Sequence, residues 1–118
     1  MAIKRLLLEI GMGNDLHGGD YTKAAIRAIQ DAVHHSSLSL IRALDLDRDQ
    51  IFIDVNVGVQ EPDKVDVKAV KNSLPFGIVS VSAVKGGLNV PEDGENDLAV
   101  IATATVIVRA EVNYVSLC

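Results

Sequence analysis

Ile51 to Val59 constrain this chain more than any other stretch. Ile51, Ile53, Val55, Val57 and Val59 alternate there with Phe52, Asp54, Asn56 and Gly58. Successive side chains of a strand point to opposite faces, so this period of two specifies a strand with one apolar and one mixed face. A longer run from Leu98 to about Ala110 repeats the pattern. Val100, Ala102, Ala104, Val106 and Val108 lie on one side, Thr103, Thr105 and Arg109 on the other. Two such strands need a second layer to cover their apolar sides.

The rest of the chain supplies that layer. Residues 2–10 read as a first strand, with Leu6, Leu8 and Ile10 on one face and Arg5, Leu7 and Glu9 on the other. Four glycines between Gly11 and Asp20 then read as a loop. Asp20 is a good helix N-cap, and Ala25, Ile29 and Val33, with Ile26, keep helical spacing through about His35. Leu40, Ala43 and Leu44 extend that period after a break, and 45–50 form a polar turn. Pro62 and Asp63 open a short helix with Asp63 as N-cap and Asp66 three residues on. Val65, Ala69, Val70 and Leu74 form its stripe, and Pro75 and Gly77 stop it. Ile78–Val84 is a third strand ending in Lys85-Gly86-Gly87, and Asn89–Asp97 is a polar loop. The order is β-α-β-α-β-β, a two-layer α+β sandwich with helices on one face of a mixed, four-stranded sheet.

At 118 residues the chain is expected to be a single domain. Eleven Lys and Arg against sixteen Asp and Glu leave a net charge of −5, and aromatics are 3%. Neither the basic patch nor the stacking rings of a nucleic-acid binder are present. Hydrophobic residues make up 48% and mean hydropathy is +0.25, yet no run approaches the ~20 apolar residues that span a bilayer. The short apolar stretch Leu6–Leu8 reads as strand, not as a signal peptide. Cys118 alone allows no internal disulfide, which fits the cytoplasm.

The sheet face turned away from the helices collects Asp54, Asn56, Ser80, Ser82, Thr103, Thr105 and Arg109 together with Phe52, Ile78, Ile101 and Ile107. That mixture is expected to be buried between subunits of a homo-oligomer.

Several residues are candidates for chemistry. Gly18 and Gly19 feed the start of the first helix, where unpaired amides and the helix dipole favour an anion. The loop matches neither phosphate fingerprint, since Gly11-x-Gly13 lacks the third glycine and no Gly-Lys-Ser/Thr occurs. Lys23 and Arg27, one turn apart, could hold a ligand carboxylate, or be offset within the chain by Asp20 and Asp31. Asp15 and His17 form an Asp-x-His in the loop, suited to acid-base work. His34 and His35 lie roughly 20 Å away at the other end of a fourteen-residue helix, where a cation at the C-terminus is favourable. Asp54 is a third acid-base candidate, with Arg109 or Lys85 as the cation a buried carboxylate needs. No metal site and no cofactor are expected.

Gly19-Asp20-Tyr21-Thr22-Lys23-Ala24-Ala25, His34-His35-Ser36-Ser37-Leu38, Asp54 to Val59 and Lys85-Gly86-Gly87-Leu88 resemble an uncharacterised family of short bacterial proteins over nearly the whole chain. The element order is similar to that of AroH-type chorismate mutases and, more distantly, YjgF-type imine deaminases. Both likenesses imply trimers with ligand clefts between subunits. Ring-opening amidohydrolases are similar in architecture and end a strand in Ser-Gly-Gly. Here Lys85 stands in place of that serine, so a serine mechanism at this loop is not implied, although Ser80 and Ser82 lie upstream.

The expected function is that of a cytoplasmic, cofactor-independent enzyme acting on a small anionic metabolite between subunits of a homo-oligomer, a trimer by analogy. His17, Asp15 and Asp54 are the acid-base candidates, and Gly18, Gly19, Lys23, Arg27, Lys85 and Arg109 the ligand contacts. The alternative is an oligomeric module that binds an anion or serves structure alone.

Overall fold

A computed structural model describes residues 2–34, 50–74, 77–91 and 97–112. Its elements in chain order are β1 (Ala2–Asp15), α1 (Tyr21–His34), β2 (Ile51–Val59), a 3-10 turn (Pro62–Lys64), α2 (Val67–Asn72), β3 (Ile78–Lys85), β4 (Leu88–Pro91) and β5 (Leu98–Val112). The sheet runs β1-β5-β2-β3, with β4 also beside β5. β5 is antiparallel to β1, β2 and β4, and β2 and β3 are parallel. β1, β2 and β3 therefore all point the same way, and their carboxyl ends share one rim with the start of β5.

The alternation in β2 and β5 puts Val55, Val57, Val59, Val100 and Ala102 in the core. Fully burying one such valine contributes about 1.5–3 kcal/mol. α1 covers β1, β5 and β2, while α2 sits over β3 and beside α1, so both helices lie on one face as expected. The mixed α+β architecture matches the sequence.

Three local expectations are corrected. β1 does not end at Ile10. Gly11 and Gly13 continue it, opposite Ala104 and Ala102 of β5. Their glycines serve helix clearance: a Cβ on Gly11 would stand 2.1 Å from the Ala28 carbonyl oxygen, and one on Gly13 2.2 Å from the Ala28 nitrogen. Ala24, Ala28 and Ala32 of α1 complete this close contact. The sheet also has five strands rather than four, because Leu88–Pro91, expected as loop from Asn89 onward, pairs with Leu98–Ile101. Finally, the helix expected over 62–74 is split. Asp66, not Asp63, caps α2, accepting from the Ala69 N–H at 3.2 Å. The expected extension through Leu40, Ala43 and Leu44, and Pro75, His35 and Cys118, lie outside the described residues.

A one-residue bulge at Leu6 resets β1 against β5. Leu7, Glu9, Gly11, Gly13 and Asp15 then face the helices, and Leu8, Ile10 and Met12 face outward. The free edge of β1 is sealed from α1: the Met12 N–H donates to Asp31 Oδ2 at 2.9 Å, and the Asn14 carbonyl accepts from Arg27 Nη1 at 2.8 Å. Unpaired strand edges template association, and charged side chains are a common way of covering them.

Candidate functional site

The rim at the carboxyl ends of β1, β2 and β3 carries most of the polar side chains singled out by the sequence. Asp15 ends β1 on the helix-covered face and is 5% exposed. Its Oδ2 accepts the Asp20 N–H at 2.9 Å, and its Oδ1 lies 3.7 Å from Arg27 Nη1. Asp20 in turn caps α1, its Oδ1 accepting the Lys23 N–H at 3.0 Å. Two carboxylates of the chain thus occupy amides at the start of α1, the position where an external anion was expected. Gly18 and Gly19, at φ +99 and +64, turn the loop tightly beneath them.

His17 projects from this loop, and its Nδ1 lies 2.9 Å from Asp97 Oδ2 just before β5. The imidazole is 75% exposed and the carboxylate 31%. A carboxylate at Nδ1 favours the Nδ1–H tautomer of the neutral ring. Lys23, on the first turn of α1, and Lys85, at the end of β3, are exposed on the same rim.

A second polar group beside it was not anticipated. Tyr21, the first residue of α1, is 4% exposed, and its hydroxyl donates to Glu61 Oε2 at 2.7 Å while accepting from Asn89 Nδ2 at 2.6 Å. Lys64 Nζ sits 3.3 Å from the same Glu61 oxygen and 5.9 Å from the Tyr21 ring centroid. Burial, then the Glu61 hydrogen bond, pushes the Tyr21 hydroxyl above its usual pKa. The Tyr21 hydrogen bond, then that from Lys64, holds the Glu61 carboxyl below its own. The partners come from three segments, so no local spacing announces them.

The Lys85-Gly86-Gly87 turn has a structural account. It crosses the end of β2, where a Cβ on Gly87 would stand 2.1 Å from the Ile101 carbonyl oxygen, and Gly87 has φ +62. The Gln60 side-chain amide donates to the Gly86 and Gly87 carbonyls at 3.1 Å each, and the Gly86 N–H to the Val59 carbonyl at 2.9 Å.

Asp54 and Arg109 do not join this rim. They are hydrogen-bonded to each other on the outer sheet face. Asp54 lies five residues before Val59, about 17 Å along the strand. Within one chain, Asp54 therefore lies apart from His17 and Asp15. Of the cations considered for Asp54, the structure selects Arg109. Among the described residues, no three His, Cys, Asp or Glu side chains converge as a metal site would require, and no helix is long and apolar enough to cross a membrane.

The family described as a conserved hypothetical protein family, Lin0512_fam, matches residues 5–108, and the chain belongs to it. Among solved structures the chain is similar to one titled an FtsZ-like protein of unknown function, from Nostoc punctiforme. The two are 36% identical with a TM-score of 0.81, over 95% of this chain and 99% of the other. Comparison with curated proteins gives no match.

Proposed function

We propose that this protein is a cofactor-independent enzyme of the cytoplasm that moves a proton on a small anionic metabolite at the strand-end rim. His17 is the acid-base group and Asp97 its positioning partner. Lys23 and Lys85 supply positive charge toward the metabolite's acid group, while Asp15 holds the Gly18-Gly19 turn in register with α1. Asp54 and Arg109 take no part in the reaction. The reading rests on one observation, the 2.9 Å contact between His17 Nδ1 and Asp97 Oδ2 in a loop anchored by buried Asp15. Loops held by a rigid scaffold are where catalytic groups concentrate.

Nitrogen-15 NMR of the imidazole tests it. Neutral His17 is expected as the Nδ1–H tautomer, and Asp97→Asn is expected to release the Nε2–H form. A wild-type His17 already in the Nε2–H form would overturn the assignment.

A second reading, of an oligomeric module without chemistry, is favoured by the Asp15 and Asp20 carboxylates, which accept two of the amides at the start of α1. A thermal-shift screen with small carboxylic acids separates the two. The enzyme reading expects stabilisation that Lys23→Ala weakens, and a module that serves structure alone expects none.

A further inference from the structure

The outer sheet face concentrates exposed apolar surface. Of the ten large hydrophobic side chains exposed among the described residues, eight lie on this face by strand register. Leu8, Ile10 and Met12 flank it on β1, at 46, 68 and 61% exposed, and Ile78 and Val84 flank it on β3, at 49 and 52%. Scattered exposed apolar residues are ordinary, whereas segregation onto one contiguous patch marks an interaction surface. Between the flanks, β2 and β5 carry Phe52, Ile101 and Ile107 among polar groups. Asp54 of β2 and Arg109 of β5 form an ion pair about 40% exposed on each side, and Ser82 donates to Asn56.

We infer that this face is covered by the same face of a second copy of the chain. The strand order supplies the symmetry. A two-fold axis lying between two such sheets, parallel to the strands, places β5 of one copy over β2 of the other and β1 over β3. Met12 then covers Val84, Leu8 and Ile10 stand over Ser80 and Ser82 beside Ile78 and Val84, and each Asp54 lies one two-residue step along the strand from the other copy's Arg109. A face whose opposite charges sit on its two central strands is complementary to itself, as an isologous contact demands. The area is sufficient. Four strands about 4.8 Å apart over eight residues span roughly 500 Å² per copy, so two copies reach the ~1,000 Å² of a specific interface. This dimer stands in place of the ring of three expected from topology. It is independent of the His17 assignment, because the rim lies at the sheet end and the interface on its face.

Light scattering on the purified protein at micromolar concentration tests it. The expected mass is twice 12.6 kDa. The double variant Ile10→Lys, Met12→Lys is expected to weaken association at least about a hundredfold, tenfold for each charge placed in the interface. Val67→Lys, on α2 away from the face, is expected to leave the mass unchanged. Circular dichroism confirms that the variants are folded. A wild-type monomer, or an oligomer indifferent to the two lysines, overturns the inference. A trimer broken by them overturns the two-fold arrangement.

Discussion

Gly13 of β1 lies against Ala28 of α1 so closely that a methyl group on it would stand 2.2 Å from the Ala28 backbone nitrogen. No side-chain rotation relieves a clash with backbone, so the helix must move or the strand bend. Gly13→Ala and Gly11→Ala are each expected to destabilise the fold by about 1–3 kcal/mol or more, the range of overpacked cores. Urea unfolding midpoints check this. Midpoints equal to wild type would mean that α1 does not sit where the glycines place it.

Asp15 is buried with one oxygen on the Asp20 N–H and the other facing Arg27. Asp15→Asn keeps the shape but removes the charge, and a lost or misfitted hydrogen bond at such a site costs about 1–3 kcal/mol. The same unfolding assay reads it. Amide exchange at Asp20 is expected to quicken in the variant.

Stability should depend on pH at both ends through Tyr21 and Glu61. Glu61 has a lowered pKa, so its contribution is present above its usual value of 4.5 and is lost as pH falls through the lower folded value. Tyr21 has a raised pKa, so its contribution is present below 10.0 and is lost as pH rises through the higher folded value. Tyr21→Phe is expected to abolish the alkaline loss and shrink the acid one. At neutral pH it removes the bonds to Glu61 and Asn89 at a cost of about 1–2 kcal/mol. Thermal melts across the pH range check both arms.

Within one copy the Asp54–Arg109 pair is half exposed, and such pairs contribute at most about 1 kcal/mol. Asp54→Arg alone should therefore lower unfolding stability slightly while dissociating the oligomer by charge repulsion. Adding Arg109→Asp restores opposite signs and should restore the mass seen by light scattering.

Much of the fold was legible because it is written in short periods. The core faces of β2 and β5 follow from alternation alone, and α1 with its Asp20 cap from spacing and one residue. What escaped depended on partners distant in sequence. Gly11 and Gly13 read as loop because glycine usually marks a turn, whereas here they admit a helix that arrives only on folding. Leu88–Pro91 is a strand by virtue of pairing with Leu98–Ile101, and four residues carry too little alternation to announce themselves. At the rim, His17 was identifiable from its glycine-flanked loop, but Asp97 is eighty residues away. Tyr21 meets Glu61 and Asn89 across forty and sixty-eight residues. Arg109 was one of two cations considered for Asp54, yet period two fixes only the face. Position along the strand removes them from the rim.

Chemical-shift mapping of the labelled protein against a library of small carboxylic acids addresses the proposed site most directly. Binding is expected to perturb the amides and side chains of His17, Lys23, Asp97 and Leu98, and to be lost in His17→Gln. Perturbations confined to Asp54 and Arg109, or shifts unchanged by His17→Gln, would contradict the account.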